Sequence, residues 1–111
     1  MSKIVKLDIS VVGLQFRLKR DMRNILAGKK FNVRLQREPD NRFDGNAIQV
    51  LMSDKKYGLL EGQHIGYVRR GTAETIAPRM DEGSVTVLSA VMSDVDPESG
   101  DAALSVKLRK A

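Results

Sequence analysis

An alternation of apolar and polar side chains with a period of two is the feature that most constrains the fold of this chain. In residues 3–12, the apolar side chains Val5, Leu7, Ile9 and Val11 alternate with polar ones. Such a pattern is typical of a β-strand that turns one face toward a core. Further strand-like runs occupy residues 31–37, 47–52, 64–68, 84–95 and 102–110. The sequence therefore predicts about six short strands.

Two other segments carry apolar residues at helical spacing. Residues 17–27 are followed by Gly28, a residue type that commonly ends helices. Residues 72–80 predict a second short helix, with Thr72 as its N-cap. Pro78 lies inside this second segment, and we expect it to kink the last turn or end the helix early.

Many short strands with few helices predict an all-β fold, namely a small β-barrel with two short helical insertions. The 111 residues contain no internal repeat, low-complexity tract or linker, so we expect one domain over residues 1–111. Polar connections are expected at residues 54–63 and at residues 96–101.

The charge is positive and unevenly distributed. Lys and Arg number 19 against 14 Asp and Glu, which gives a formal net charge of +5. Residues 17–42 hold nine basic and three acidic side chains, whereas residues 94–101 hold four acidic side chains and no basic one. This asymmetry favours an anionic partner that binds the basic segment.

The composition also restricts the compartment and the chemistry. The chain has no Cys, which excludes disulfides, thiol nucleophiles and thiolate metal sites and suits a reducing cytosol. No signal-peptide core and no apolar run of about 18 residues occurs, so we expect no membrane association. The expected location is the cytoplasm, with nucleoid association if the source is prokaryotic.

Catalytic arrangements find little support. His64 is the only imidazole, and no glycine-rich phosphate-binding loop occurs. Four carboxylates at residues 94–101 could hold a hard cation, but they lack the twelve-residue calcium-loop pattern and are more simply a solvated hairpin tip. We therefore expect a protein that is not an enzyme, without catalytic residues, metal or cofactor. A nuclease would need such a metal site.

The loop at residues 37–46 is the most informative segment for function. Phe43 lies among polar and turn residues, where an aromatic ring has no obvious core to fill. Phe16 and Tyr67 likewise follow glycine-containing segments, and arginines lie beside these rings at positions 17, 42, 69 and 70. Rings that stack on bases and arginines that neutralise phosphates are what binding of single-stranded nucleic acid requires.

Three ordered blocks of sequence closely resemble the HIRAN domain family. They are residues 12–16 (VGLQF), residues 37–50 (REPDNRFDGNAIQV) and residues 65–70 (IGYVRR), with Ala73 beyond. The matched region spans roughly residues 10–80. The resemblance implies an OB-like or SH3-like barrel that binds DNA and captures the 3′-hydroxyl end of a single strand.

The resemblance also implies roles for individual residues. Asp44 would accept a hydrogen bond from the terminal 3′-hydroxyl, with Asn41 as a polar partner and Phe43 stacked on a base. Phe16 would be a second stacking ring, and Tyr67 a wall of the pocket. Arg70 would contact a phosphate. The remaining predicted interface residues are the basic side chains Arg17, Arg37, Arg42 and Arg69.

Two positions depart from the DNA-end-binding version of the family. Gln15 stands where that version has an arginine, and Arg17 stands where it has a second aromatic residue. One phosphate contact and one ring are therefore missing or replaced, and Arg17 is a candidate for the missing phosphate contact. Asn41, Asp44 and Asn46 also have a simpler interpretation, because such residues often brace their own loop.

Two functions remain open at this point. The leading hypothesis is a module that binds single-stranded DNA, or DNA 3′ ends, in DNA repair or replication-fork processing. A helicase or nuclease acting in trans is a candidate partner. The alternative is a protein-interaction or adaptor barrel that has lost the DNA pocket.

Overall fold

The computed structural model describes residues 3–111, and these form a closed antiparallel barrel of six strands with two α-helices. The strands are β1 (Lys3–Val12), β2 (Phe31–Arg37), β3 (Ile48–Met52), β4 (His64–Val68), β5 (Val85–Ser93) and β6 (Ala102–Lys110). The helices are α1 (Arg20–Leu26) and α2 (Arg70–Glu82), and 3-10 helices lie at Leu14–Phe16 and Lys55–Leu60. The predicted all-β barrel is confirmed.

Strand β1 closes the barrel because it pairs with two neighbours. It is antiparallel to β6 from Lys3 to Val11, and its last two residues pair with β4, with Val11 opposite Val68. The strand order around the barrel is β1-β4-β3-β2-β5-β6. One apolar core lies inside. In β1 the period-two pattern is only partly confirmed, because Val11 is buried and Val5 and Ile9 are half-buried, whereas Leu7 is exposed. Its largest fully buried side chains are Phe31, Leu14, Leu26, Ile48, Met52, Ile65, Met92 and Leu104.

The first helix is shorter than predicted. It begins at Arg20 instead of residue 17, because the chain first makes the 3-10 turn Leu14–Phe16. The N–H of Leu18 donates to the carbonyl of Leu14 at 2.8 Å, so this turn is closed before α1 begins. Gly28 has φ 75°, as predicted for a residue just beyond a helix end.

The second helix is longer than predicted at both ends. It begins at Arg70, with Arg69 as N-cap, so the prediction that Thr72 caps it is wrong. It continues through Pro78 to Glu82. Pro78 lacks the N–H that would donate to the carbonyl of Glu74, and both residues are exposed, so water can satisfy this carbonyl.

The connection between β3 and β4 is more ordered than a polar loop. Asp54 caps the 3-10 helix Lys55–Leu60, because its carboxylate accepts a hydrogen bond from the N–H of Lys56 (3.1 Å). The same carboxylate accepts a hydrogen bond from the N–H of Asn32 in β2 (3.0 Å). These bonds hold the pKa of Asp54 below its usual value. No helix within residues 3–111 combines the length and apolar character that crossing a membrane requires.

We predict that Gly66→Ala destabilises the fold by about 1–3 kcal/mol, since it overpacks a close contact. A Cβ at Gly66 would lie 2.9 Å from both Leu14 Cδ1 and Val11 Cγ1. Gly71→Ala is the matched control, because a Cβ there meets nothing within 4 Å. Urea unfolding measures both variants. An equal free energy of unfolding for the two variants would contradict the packing argument.

Candidate nucleic-acid interface

A pocket of about 450 Å³ lies at one end of the barrel, where the ends of β1 and β4 meet the β2–β3 loop and the start of α2. Its lining brings together side chains from three stretches of the chain, residues 12–17, 41–47 and 67–70. The lining side chains are Val12, Arg17, Asn41, Phe43, Asp44, Ala47, Tyr67, Val68 and Arg70. Six of these are among the residues that the sequence predicted, namely Arg17, Asn41, Phe43, Asp44, Tyr67 and Arg70.

Asn41 braces the β2–β3 loop from inside. Its Oδ1 accepts hydrogen bonds from the backbone N–H groups of Phe43 (2.9 Å) and Asp44 (3.0 Å), and its Nδ2 donates to Glu38 Oε2 at 3.1 Å. The loop conformation is thereby fixed while Phe43 stays 88% exposed. Asn41 therefore has the bracing role that its residue type favours.

Asp44 uses its two carboxylate oxygens differently. Oδ1 accepts a hydrogen bond from the N–H of Asn46 at 2.9 Å, which braces the loop. Oδ2 lies 3.8 Å from Arg70 Nε, an ion-pair distance that is too long for a hydrogen bond. The side chain is 20% exposed and lines the pocket, so a hydrogen-bond donor that enters the pocket can approach this carboxylate.

Tyr67 connects the loop to strand β4. Its hydroxyl donates to Glu38 Oε2 at 2.7 Å, and its ring makes an edge contact with His64 at 4.5 Å between centroids. The hydrogen bonds from Tyr67 and Asn41 hold the pKa of Glu38 below its usual value of 4.5. Burial and the Glu38 carboxylate raise the pKa of Tyr67, so the phenol stays protonated and keeps donating.

Arg17 reaches the pocket although it precedes α1. Its guanidinium carbon lies 5.8 Å from the centroid of the Tyr67 ring, within cation–π range. Burial and the nearby Arg17 lower the pKa of His64, so the imidazole at the back of this wall is mainly neutral at pH 7. The guanidinium stands at the rim, where an anion can approach it.

Arg37 has a structural role that sequence reasoning did not foresee. It donates hydrogen bonds to the carbonyl oxygens of Ala47 (2.6 Å) and Gly45 (2.8 Å), and its guanidinium pairs with both carboxylate oxygens of Asp81 (2.9 and 3.0 Å). Arg37 thus fixes the base of the β2–β3 loop to helix α2. The same hydrogen bonds lower the pKa of Asp81.

Phe16 and two further predicted basic residues lie outside this pocket. Phe16 is 83% exposed and lines a neighbouring hollow, which shares Arg17 with the pocket. Within residues 3–111 the pocket lining includes neither Arg42 nor Arg69, both of which are exposed. Gln15 lies against Gly100, because a Cβ added at Gly100 would be 2.7 Å from the backbone nitrogen of Gln15.

Sequence reasoning missed two parts of the site. The apolar floor consists of Val12, Ala47 and Val68, whose strand-like pattern indicated only core packing. Glu38 was also missed, although it lies within the block at residues 37–50 that carries the family resemblance. Its position three residues before Asn41 could have indicated this contact, since polar side chains three residues apart in a turn can hydrogen-bond to each other.

The electrostatics of the pocket are asymmetric. The carboxylate of Asp44 lies inside, with the guanidinium groups of Arg17 and Arg70 also on the lining, and Arg70 is 72% exposed. Within residues 3–111 no cluster of three or more His, Asp or Glu side chains could hold a metal ion. The arrangement suits a ligand that carries a hydrogen-bond donor at its end, a flat apolar group and flanking negative charge.

Fold and site together define a small β-barrel module with a ligand pocket at one end of the barrel. The model of the HIRAN domain family matches residues 4–109, so the chain belongs to this family. A search of curated proteins found none that matches the chain.

Solved structures share the fold. The crystal structure of the HIRAN domain of human HLTF is similar with a TM-score of 0.72 and 22% identity, over 98% of this chain and 79% of that one. A crystal structure of a protein from Lactobacillus plantarum has a TM-score of 0.71 and 24% identity, over the full length of both chains. The NMR structure of the HLTF HIRAN domain in its DNA-bound conformation has a TM-score of 0.67 and 22% identity, again over 98% and 79%.

We predict that Tyr67→Phe moves the pKa of Glu38 back toward 4.5, because the variant loses the hydrogen bond that lowers this pKa most. A depressed folded-state pKa stabilises the protein above the unfolded-state pKa, and this stabilisation is lost as the pH falls through the folded-state value. The variant should therefore lose less stability than the wild type on acidification below about pH 4.5.

Carboxyl ¹³C NMR titration of Glu38 measures this shift directly. Tyr57→Phe is the control, because Tyr57 packs edge-on against Phe31 on the β3–β4 side of the barrel. An unchanged Glu38 pKa in Tyr67→Phe would contradict the assigned network.

Proposed function

We propose that this protein is a non-catalytic module that binds single-stranded DNA at a free 3′-hydroxyl end. The observation that carries the proposal is the Asp44 carboxylate, which lines the pocket with 20% of its side chain exposed and with Oδ2 3.8 Å from Arg70 Nε. Membership of the HIRAN family supports DNA binding, since the HIRAN domain of human HLTF has been solved in a DNA-bound conformation.

The terminal 3′-hydroxyl donates to Asp44 Oδ2, while Oδ1 keeps its bond to Asn46. Hydrogen bonds to a charged group contribute about 1.5–3 kcal/mol. A 3′-phosphate would instead place its negative charge beside the Asp44 carboxylate, and it would offer no hydroxyl group to donate to Oδ2. The pocket therefore distinguishes a hydroxyl end from a phosphorylated end.

The terminal base stacks on Phe43. Its ring projects into solvent from a loop that Asn41 holds rigid, so little conformational entropy is lost when a base covers it. Base–aromatic stacking contributes about 1–3 kcal/mol for each base. Phe16 is a second stacking ring for a base farther from the end, because its hollow adjoins the pocket at Arg17.

The phosphates that precede the end contact Arg70 and Arg17. Arg17 supplies the cation that Gln15 does not, since Arg17 lines the pocket and Gln15 lies against Gly100. Arg42 and Arg69 add positive charge nearby without entering the pocket, and Arg37 maintains the loop. DNA repair or fork processing would supply such ends, and a helicase or nuclease acting in trans is the candidate partner.

We predict that Asp44→Asn reduces the preference for a 3′-hydroxyl over a 3′-phosphate by about tenfold. The amide oxygen can still accept the Asn46 N–H, so the loop should stay intact, but the repulsion of phosphate is lost. Asp40→Asn is the matched control, because Asp40 is an exposed carboxylate of the same loop. Fluorescence anisotropy with matched oligonucleotides measures the ratio. An unchanged preference in Asp44→Asn would exclude the assigned role.

We predict that Arg70→Ala weakens binding of every single strand without changing end preference. Neutralisation of about three phosphates gives a slope near −2 in a plot of log affinity against log salt concentration, and the variant should flatten that slope by about 0.7. Arg79→Ala, an exposed arginine later in α2, is the control. A slope near zero for the wild type would favour the alternative function, a protein-interaction barrel.

A further inference from the structure

A further hollow shares Arg17 with the pocket. This α1 groove, about 380 Å³ in volume, is lined by Arg17, Leu18, Lys19, Met22, Leu60 and Gln63. Its residues come from the approach to α1, from α1 itself and from the β3–β4 connection. The roles assigned above do not use the groove apart from its shared residue, Arg17.

The walls of the α1 groove are apolar and anchored. Leu18 is buried, and Met22 and Leu60 pack against the barrel core while part of each side chain remains accessible. Leu60 ends the 3-10 helix that Asp54 caps, and Tyr57 in the same helix packs edge-on against Phe31. The groove is therefore a preformed apolar surface, and a flat group that enters it loses contact with water.

The charge at the groove suits a nucleic-acid strand. Arg17 and Lys19 line it against one carboxylate, Asp21. Gln63 contributes an amide that can both donate to and accept from the edge of a base. Cationic groups beside an apolar surface match a ligand in which flat bases alternate with phosphates.

The groove and the pocket have one lining residue in common. Arg17 lines both, and its guanidinium lies over Tyr67, which belongs to the pocket wall. A strand that passes from the pocket into the groove would therefore cross a guanidinium between two base-sized hollows. A base site, a cation and a second base site in this order would match the alternation of bases and phosphates along a single strand.

We infer that the α1 groove binds an internal base of the same single strand whose 3′ end occupies the pocket. This inference rests on the proposed function. It makes the ligand a strand several nucleotides long instead of a terminal nucleotide alone. The groove adjoins the hollow of Phe16, because Arg17, Leu18 and Lys19 line both. It differs from that hollow in its apolar wall, which Met22 and Leu60 supply.

The test is an abasic scan of a 5′-labelled eight-nucleotide strand with a free 3′-hydroxyl. One abasic position at a time is introduced, and affinity is measured by anisotropy for the wild type, Leu60→Gln and Met22→Gln. Leu59→Gln is the matched control, because Leu59 is the adjacent leucine and is fully exposed to solvent. Circular dichroism and thermal unfolding establish that each variant is folded.

The inference predicts an internal position at which loss of the base weakens wild-type binding by about tenfold. Leu60→Gln and Met22→Gln should bind the intact strand about tenfold more weakly and show no further loss with that abasic strand. Leu59→Gln should behave as the wild type. A Phe16→Ala variant should remove the penalty at a different position.

Two results would overturn the inference alone. One is a wild-type preference for the 3′-hydroxyl without any internal abasic penalty. The other is an internal penalty that persists in both groove variants or disappears only in Phe16→Ala. Absence of any 3′-hydroxyl preference in the wild type would instead overturn the proposed function, and the groove inference with it.

Discussion

The hydrogen bonds that join Glu38, Asn41 and Tyr67 are the interaction on which the rest of the site depends. Glu38 accepts from Tyr67 at 2.7 Å and from Asn41 at 3.1 Å, and Asn41 in turn holds two backbone N–H groups of the loop. Tyr67 lies on strand β4, so this network transmits the rigidity of the barrel to the loop. Without it, the positions of Phe43 and Asp44 would not be fixed.

The bracing explains how the loop can present groups that proteins usually cover. A phenylalanine that is 88% exposed gains nothing from the hydrophobic effect in the free protein, so its loop must be stabilised by other contacts. Arg37 supplies some of them by joining two loop carbonyls to Asp81 of α2. Phe43 and Asp44 Oδ2 are thus preorganised for a ligand, which lowers the entropic cost of binding.

The fold could be predicted largely from local patterns, because a strand with one buried face repeats every two residues. Helix starts were less accurate: a 3-10 turn delays α1, and Arg69 rather than Thr72 caps α2. At the site, the family resemblance identified Asn41, Phe43 and Asp44, and their binding roles remain predictions. The structural role of Arg37 could not be foreseen, since a paired and an exposed arginine look alike in a sequence. The apolar floor of the pocket and the α1 groove could not be predicted either, because they depend on which strand ends and loops meet in the folded chain.

Recognition of a hydroxyl end by the braced loop can be measured by ¹⁵N NMR titration of the protein with two otherwise identical short strands. One strand ends in a 3′-hydroxyl and the other in a 3′-phosphate. The hydroxyl strand is expected to perturb the amides of Phe43, Asp44 and Asn46 and those at the start of α2, at concentrations where the phosphate strand does not. Equal perturbation by both strands, or perturbation confined to another face of the barrel, would contradict this recognition.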